Sequence, residues 1–120
     1  MTPSEALQAV CEAWNRLDND ALAELFAEDG ILEDPLNERT LRGRDDVRSD
    51  NEAAMRMLSE CEVTLGGAVE SGDFGMGEGM FRSVLAEGGA RMDFPFAAAV
   101  ELRDGRIARL TEYFDTAPLV

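Results

Sequence analysis

Apolar residues recur at helical spacing in the first half of the chain, and the first such segment directly follows Thr2-Pro3-Ser4-Glu5. Thr2 can cap a helix, Pro3 suits its first turn, and Glu5 completes a capping box. The apolar stripe of this segment consists of Leu7, Val10, Cys11, Trp14 and Leu17. We therefore predict a first helix that buries this stripe. Trp14 is also a candidate pocket residue, because its indole N–H needs a hydrogen-bond partner.

Two further segments show the same helical spacing. The second helix is predicted to begin at Asp18-Asn19-Asp20 and to end at Gly30, where glycine suits a left-handed stop. The third is predicted from about Asp45 to Leu58, with a stripe of Val47, Asn51, Ala54, Met55 and Leu58. Asn51 is the one polar member of that stripe, so its side chain lies either at the exposed edge or in a cavity.

From Cys61 onward the apolar residues alternate with polar ones, which is typical of strands. Gly66-Gly67 is predicted to break or bulge the first strand, and turns are predicted at 71–73, 87–89 and 104–105. Glycines alternate between Phe74 and Phe81, which leaves one face bare for a close backbone approach or a cavity wall. The later strands are predicted at 91–103, where Pro95 implies a bulge or an edge, and at 106–115.

Three helices followed by a meander of strands predict an α+β fold, in which a curved sheet wraps around the N-terminal helices. The 120 residues fit one domain, and the chain shows no linker, repeat or low-complexity segment. We therefore expect a single domain over residues 1–120.

Charge and composition exclude several classes of function. The net charge is −14, so nucleic acids and anionic membranes are not expected partners. Histidine is absent, and Cys11 and Cys61 lack metal-site spacing, so no metal and no cofactor are expected and both thiols should be buried. No signal peptide or membrane span is seen, which leads us to expect a cytoplasmic protein.

A short strand is predicted from Ile31 to Asp34, cut off by Pro35. Side chains alternate along a strand, so Leu32 and Asp34 share one face while Ile31 and Glu33 share the other. Whichever face is inside carries one acid with it, and a carboxylate among apolar neighbours is suited to act as a base. The alternative is that Asp34 merely caps the turn at Pro35.

Two stretches of the chain resemble a known family. One runs from Phe26 through Glu33-Asp34-Pro35 to Gly43-Arg44-Asp45, and the other runs from Val100 to a Glu112-Tyr113-Phe114-Asp115 ending. Their order resembles the nuclear transport factor 2-like superfamily, most of all the branch of ketosteroid isomerases and SnoaL-like polyketide cyclases. The resemblance covers nearly the whole chain and implies a cone-shaped mixed or antiparallel sheet around a cavity. Asp34 falls where ketosteroid isomerases carry their general base.

Other positions of that family are not matched. The oxyanion-hole tyrosine of ketosteroid isomerases falls at Val10, and its supporting tyrosines fall at Phe26 and Asn51. Their late aspartate falls between Phe96 and Ala98. The resemblance therefore implies that the general base is retained and that the electrophilic half of the site, the donors of the oxyanion hole, is missing.

Limonene epoxide hydrolases resemble the chain at its Glu112-Tyr113-Phe114-Asp115 ending. Glu112 stands where those enzymes carry one carboxylate. Their arginine and second carboxylate fall near Gly79 and Phe81, which disfavours epoxide hydrolysis by that set of residues.

These observations lead to a hypothesis about function. We expect a small cofactor-free enzyme in which Asp34 shuttles a proton, in an isomerisation or cyclisation, on an apolar carbonyl-bearing molecule. A non-catalytic module for a small hydrophobic ligand and a pure dimerisation domain are the alternatives. The expected ligand-binding residues are Trp14, Phe26, Leu32, Asn51, Met55, Phe94, Phe96, Ala98 and Glu112. Asn51, if inward, is the candidate polar donor, and a homodimer through the outer sheet face is expected.

Overall fold

The computed structural model describes residues 1–115, which form three α-helices and six strands. The helices are α1 (Pro3–Asn15), α2 (Asn19–Glu24) and α3 (Arg44–Arg56). The strands are β1 (Phe26–Asp34), β2 (Arg39–Arg42), β3 (Leu58–Ser71), β4 (Phe74–Leu85), β5 (Phe94–Arg103) and β6 (Arg106–Tyr113). A single 3-10 turn, Pro35–Asn37, separates β1 from β2.

The strands form one curved, unclosed sheet in the order β2-β1-β6-β5-β4-β3. Neighbouring strands are antiparallel except β1 and β6, which run parallel. The hydrophobic core lies between the helices and one face of this sheet, and it includes Leu7, Leu22, Val47, Val100 and Leu110. The predicted α+β class and the helix-wrapping sheet are confirmed.

Several local signals near the ends of elements are confirmed. Thr2 accepts a hydrogen bond from the Glu5 N–H, and the Glu5 carboxylate accepts one from the Thr2 N–H, which completes the capping box. The β3 pairing shifts between Leu65 and Gly67, so the predicted bulge is present. Asp104 and Gly105 both have positive φ angles (54° and 76°), as a two-residue hairpin loop requires.

The prediction that the second helix reaches Gly30 is wrong. The helix ends at Glu24 because the Leu25 carbonyl accepts the Ile107 N–H and the Phe26 carbonyl accepts the Arg44 guanidinium. Gly30 lies within β1, where a Cβ would stand 2.7 Å from the Ile107 carbonyl oxygen. The glycine therefore marks a close approach of β6 and not a helix stop.

The strand predicted at 91–103 begins later, at Phe94. Arg91 makes only an isolated bridge to Val84. Pro95 lies in an interior strand without disrupting it, because pairing of β5 with β6 starts only at Ala97. The missing N–H of Pro95 therefore costs the sheet no hydrogen bond to β6.

The alternating glycines of β4 serve the close approach that was predicted. A Cβ on Gly79 would stand 2.0 Å from the Thr64 carbonyl oxygen and 2.9 Å from the Phe96 ring. A Cβ on Gly75 would stand 2.6 Å from Pro3 at the start of α1. Bare positions on this face thus let α1 and Phe96 pack directly on the strand.

Candidate active site

A cavity of about 510 Å³ opens between the helices and the inward face of the sheet. Its wall is mainly apolar, with side chains from α1, from α3 and from strands β3 to β6. Five polar side chains also line it: Asp34, Asn37, Arg39, Asn51 and Glu112. Of the described residues, Arg39 is the single basic side chain on this wall. An apolar cavity with a few polar groups is the usual form of a small-molecule site.

Aromatic rings line one side of the cavity in a continuous series. Trp14 meets Phe81 edge to face at 5.6 Å, Phe81 stacks on Phe94 at 4.8 Å, and Phe94 stacks on Phe114 at 5.0 Å. All four residues belong to the cavity wall. The series forms a large apolar surface against which a ligand can pack.

Two acids from neighbouring strands face the same cavity. In the parallel pairing of β1 with β6, Leu32 lies opposite Leu110 and Glu33 lies opposite Thr111. Asp34 and Glu112 are the next residues on the inward face, two positions beyond the paired leucines. The spacing of neighbouring strands, about 4.8 Å, therefore brings the two carboxyl groups into one region of the wall.

The Asp34 carboxylate is held from the turn that follows it. Asp34 is 2 % exposed, and Asn37 Nδ2 donates to its Oδ1 at 2.8 Å. Glu38 adopts a left-handed conformation (φ 52°) that reverses the chain, so that Arg39 pairs opposite Asp34. Arg39 Nε lies 3.6 Å from Asp34 Oδ2. Asp34 thus serves as both a wall residue and the acceptor of this turn.

Arg39 also connects the turn to α3. Its guanidinium donates to the Asp50 carboxylate, one residue before Asn51. The guanidinium is therefore shared between two acids, one from β1 and one from α3.

Burial raises the pKa of Glu112 to about 7. The positive charge of Arg39 opposes this rise, whereas the negative charges of Asp34 and Asp50 add to it. The side chain keeps partial exposure because it lines the cavity, while the surrounding apolar atoms deprive its charged form of hydration. Near neutral pH this carboxyl group can therefore donate or accept a proton.

Asn51 faces the cavity, which decides between the two orientations left open by the sequence. It is 3 % exposed, and its Nδ2 has no hydrogen-bond partner among residues 1–115. Arg39 Nε is likewise buried without a hydrogen-bond partner in the described chain.

The structure places most of the sequence-predicted ligand residues on the cavity wall. These are Trp14, Asn51, Phe94, Phe96, Ala98 and Glu112, together with Asp34. Phe26, Leu32 and Met55 instead belong to the hydrophobic core and do not line the cavity. On α3, Asn51 and Ala54 line the cavity, whereas Val47 and Met55 are core residues. On the inward face of β1 the wall is formed by Asp34 alone.

Among the polar and aromatic residues of the wall, four escaped the sequence analysis: Asn37, Arg39, Phe81 and Phe114. Phe81 had a usable signal, because it shares the inward face of β4 with the alternating glycines. Arg39 had none, since β2 is only four residues long. Within residues 1–115 no group of side chains has the composition of a metal site, and no helix is long and apolar enough to cross a membrane.

Comparison with protein families places the chain among known sequences. The model of the SnoaL-like domain matches residues 7–110, which confirms the resemblance found in the sequence. No curated protein matches the chain.

Solved structures share the fold. A hypothetical protein with a ketosteroid isomerase-like fold from Catenulispora acidiphila, in complex with trimethylamine, is 25% identical with a TM-score of 0.84; the match covers 96% of this chain and 88% of that protein. A putative polyketide cyclase from Xanthomonas campestris is 24% identical with a TM-score of 0.83, covering 98% and 93%. An epoxide hydrolase of the limonene type from M. tuberculosis is 21% identical with a TM-score of 0.80, covering 93% and 81%.

Proposed function

Because the chain belongs to the SnoaL-like domain family, we propose that it is a cofactor-free enzyme that moves a proton on a small apolar molecule bearing a carbonyl group. The observation that carries the proposal is the Asp34–Glu112 pair, two acids from adjacent strands on the wall of an otherwise apolar cavity. Structural neighbours that are named as putative polyketide cyclases support this class of substrate. The ligand in the Catenulispora complex supports a small-molecule role.

The two acids suit different halves of the reaction. Asp34, whose carboxylate is oriented by Asn37 and Arg39, takes a proton from the carbon next to the carbonyl group. Glu112, whose pKa is raised to about 7 by burial, is partly protonated at neutral pH and returns a proton to the substrate. Moving the proton between two carbons is an isomerisation, and adding the intermediate carbanion to a second carbonyl is a cyclisation. A positioned acid or base of this kind contributes roughly 10²–10⁴ in rate.

Hydrogen–deuterium exchange tests this proposal without knowledge of the natural substrate. 1-Tetralone, an apolar bicyclic ketone, is incubated with the protein in D₂O, and loss of the proton signals beside the carbonyl is followed by NMR. We expect exchange above the buffer rate, with a loss of at least about 100-fold in Asp34→Asn and a smaller loss in Glu112→Gln. Glu62→Gln, an exposed acid on β3, is the matched control and should exchange at the wild-type rate.

A binding module without catalysis is the second candidate, and one observation favours it. Asn37 and Arg39 engage both oxygens of Asp34, so the carboxylate already has partners without a substrate. This candidate predicts tight binding of apolar ketones with exchange no faster than in buffer, and exchange that does not change in Asp34→Asn.

A further inference from the structure

Two nitrogen donors on the cavity wall have no hydrogen-bond partner in the described chain. One is Asn51 Nδ2, and the other is Arg39 Nε, which lies 3.6 Å from Asp34 Oδ2 in an ion pair. Both atoms are buried and both residues line the cavity. A buried donor without an acceptor is unfavourable, and native structures rarely keep one unless another molecule supplies the acceptor.

Arg39, which carries one of the donors, also contacts the two elements around the site. Its guanidinium bonds Asp50, and Asn51 is the next residue on α3. The same guanidinium lies beside Asp34 on β1. Both donors therefore lie on the wall of one cavity, although they come from different elements.

A purely structural role does not explain the amide of Asn51. The residues one turn before and after it on the same face, Val47 and Met55, are apolar and belong to the core. An apolar side chain at position 51 would continue that face without leaving a donor unsatisfied. The amide is thus unfavourable for packing unless a molecule in the cavity accepts its hydrogen bond.

We propose that Asn51 Nδ2 and Arg39 Nε together bind the substrate's carbonyl oxygen and stabilise it as an enolate. This inference rests on the proposed function and names the electrophilic half of the site, which the family alignment at Val10 and at 96–98 does not provide. Asp34 takes the proton, the electrons of the broken C–H bond form a C=C bond, and the carbonyl π electrons move onto the oxygen. Return of the proton to carbon restores the carbonyl group, and neither oxidant nor reductant is needed.

The charges around the donors narrow the substrate class further. Asp34, Asp50 and Glu112 surround one cation, Arg39, so the region has no excess positive charge to offer a carboxylate ligand. The substrate is therefore a neutral ketone or aldehyde in its ground state, and negative charge develops on it only as its proton leaves.

A matched pair of ligands tests the oxygen site by binding alone. 1-Tetralone and tetralin have the same bicyclic body, and tetralin lacks the oxygen. Binding is followed by the fluorescence of Trp14, the one tryptophan of the chain, which lies on the cavity wall. Without oxygen recognition the hydrocarbon binds more tightly, because the ketone loses its hydration. We expect the reverse, a preference of about tenfold or more for the ketone.

Two substitutions locate the donors. Asn51→Leu keeps the size and removes the amide, and we expect the preference to shift to tetralin while tetralin affinity is kept or improved. Arg39→Lys keeps the positive charge for Asp34 and Asp50 but removes Nε–H, and we expect a partial loss of preference. Arg82→Lys, on an exposed arginine of β4, is the matched control and should leave the preference unchanged. Retained tetralin binding also shows that each variant is folded.

A spectroscopic readout separates hydrogen bonding from packing. The carbonyl carbon of ¹³C-labelled 1-tetralone should resonate further downfield in the wild-type protein than in Asn51→Leu, because hydrogen bonding to the oxygen polarises the carbonyl. Equal affinity for the two ligands in the wild type, or an unchanged preference and resonance in Asn51→Leu, would overturn the inference. A ketone preference without any deuterium exchange would uphold the oxygen site and reject the proposed catalysis.

Discussion

Asp34 and Glu112 occupy equivalent positions on adjacent parallel strands, each two residues beyond the paired Leu32 and Leu110. Both leucines are fully buried; Leu32 is a core residue that does not reach the cavity, whereas Leu110 and both acids line it. The inward face of β1 therefore changes from core to cavity wall between Leu32 and Asp34. On the neighbouring strands Arg39 is paired with Asp34, and Ala98 is paired with Glu112. The only basic side chain on the cavity wall within the described chain therefore lies beside Asp34.

The raised pKa of Glu112 predicts a pH-dependent contribution to stability. Folding favours the neutral carboxyl group, so the contribution is fully present below the ordinary value of 4.5 and is lost as pH rises towards about 7. Because a tenfold change in proton affinity corresponds to about 1.4 kcal/mol, the expected loss in unfolding free energy is of the order of 2 kcal/mol. Chemical denaturation at pH 5 and pH 8 should show this fall in the wild type and a smaller fall in Glu112→Gln. Equal falls in both proteins would contradict the assignment, and Glu62→Gln serves as the control.

The same group predicts the pH dependence of deuterium exchange. Proton return requires protonated Glu112, so exchange into 1-tetralone should decline above about pH 7. In Glu112→Gln the slower residual exchange should lose this alkaline decline. A decline of the same midpoint in the variant would show that another group controls the rate.

The close packing around Gly30 predicts that one added methyl group lowers the unfolding free energy. In Gly30→Ala the new Cβ would stand 2.7 Å from the Ile107 carbonyl oxygen and 3.0 Å from that of Ala27. Both neighbours are backbone atoms, so we expect a loss of about 1–3 kcal/mol in unfolding free energy. Gly67→Ala is the matched control, because no atom lies within 4 Å of its Cβ position. The control should be neutral or slightly stabilising, and equal effects at the two sites would refute the close-approach interpretation of Gly30.

We predict that the protein is a homodimer formed through the outer face of the sheet. Val69 and Met76 are paired on that face and are 74% and 40% exposed, and Tyr113 is also exposed on it. A stable dimer buries about 1,200 Å² or more in total. Light scattering at micromolar concentration should give twice the chain mass, and Met76→Glu should give a monomer. Leu36→Glu, an exposed apolar residue outside the sheet, should leave the dimer intact. A monomeric wild type would reject this prediction.

The alternating pattern was enough to predict one half of the site. Leu32 and Asp34 share the buried face of β1, as alternation requires, and their burial does not depend on details of packing. The inward position of Glu112 follows from the same rule applied to β6. Alternation predicts which side chains share a face, but it does not predict where along the strand the core ends and the cavity begins. It therefore could not separate Leu32 in the core from Asp34 on the cavity wall.

The other half depends on contacts that leave no periodic signal. Arg39 reaches Asp34 only because Glu38 reverses the chain in a left-handed conformation. The residue at this position is not a glycine, so the sequence does not indicate the left-handed turn. Gly30 misleads for a related reason, because a glycine at a helix end and a glycine at a crowded strand look alike in sequence. The distinction depends on β6, which approaches from the far end of the chain.

The position of β6 determines when the molecule can acquire its site. Within residues 1–115, β6 is the strand that joins the β2–β1 pair to β5, β4 and β3, and it is the last strand that the ribosome synthesises. Before it docks, β1 and β5 present open edges that invite pairing with other chains. The contact of β6 with β1 is also the most non-local in the sheet, so closing it is a slow step of folding. A nascent chain is therefore most exposed to aggregation in the interval that ends when Glu112 arrives beside Asp34.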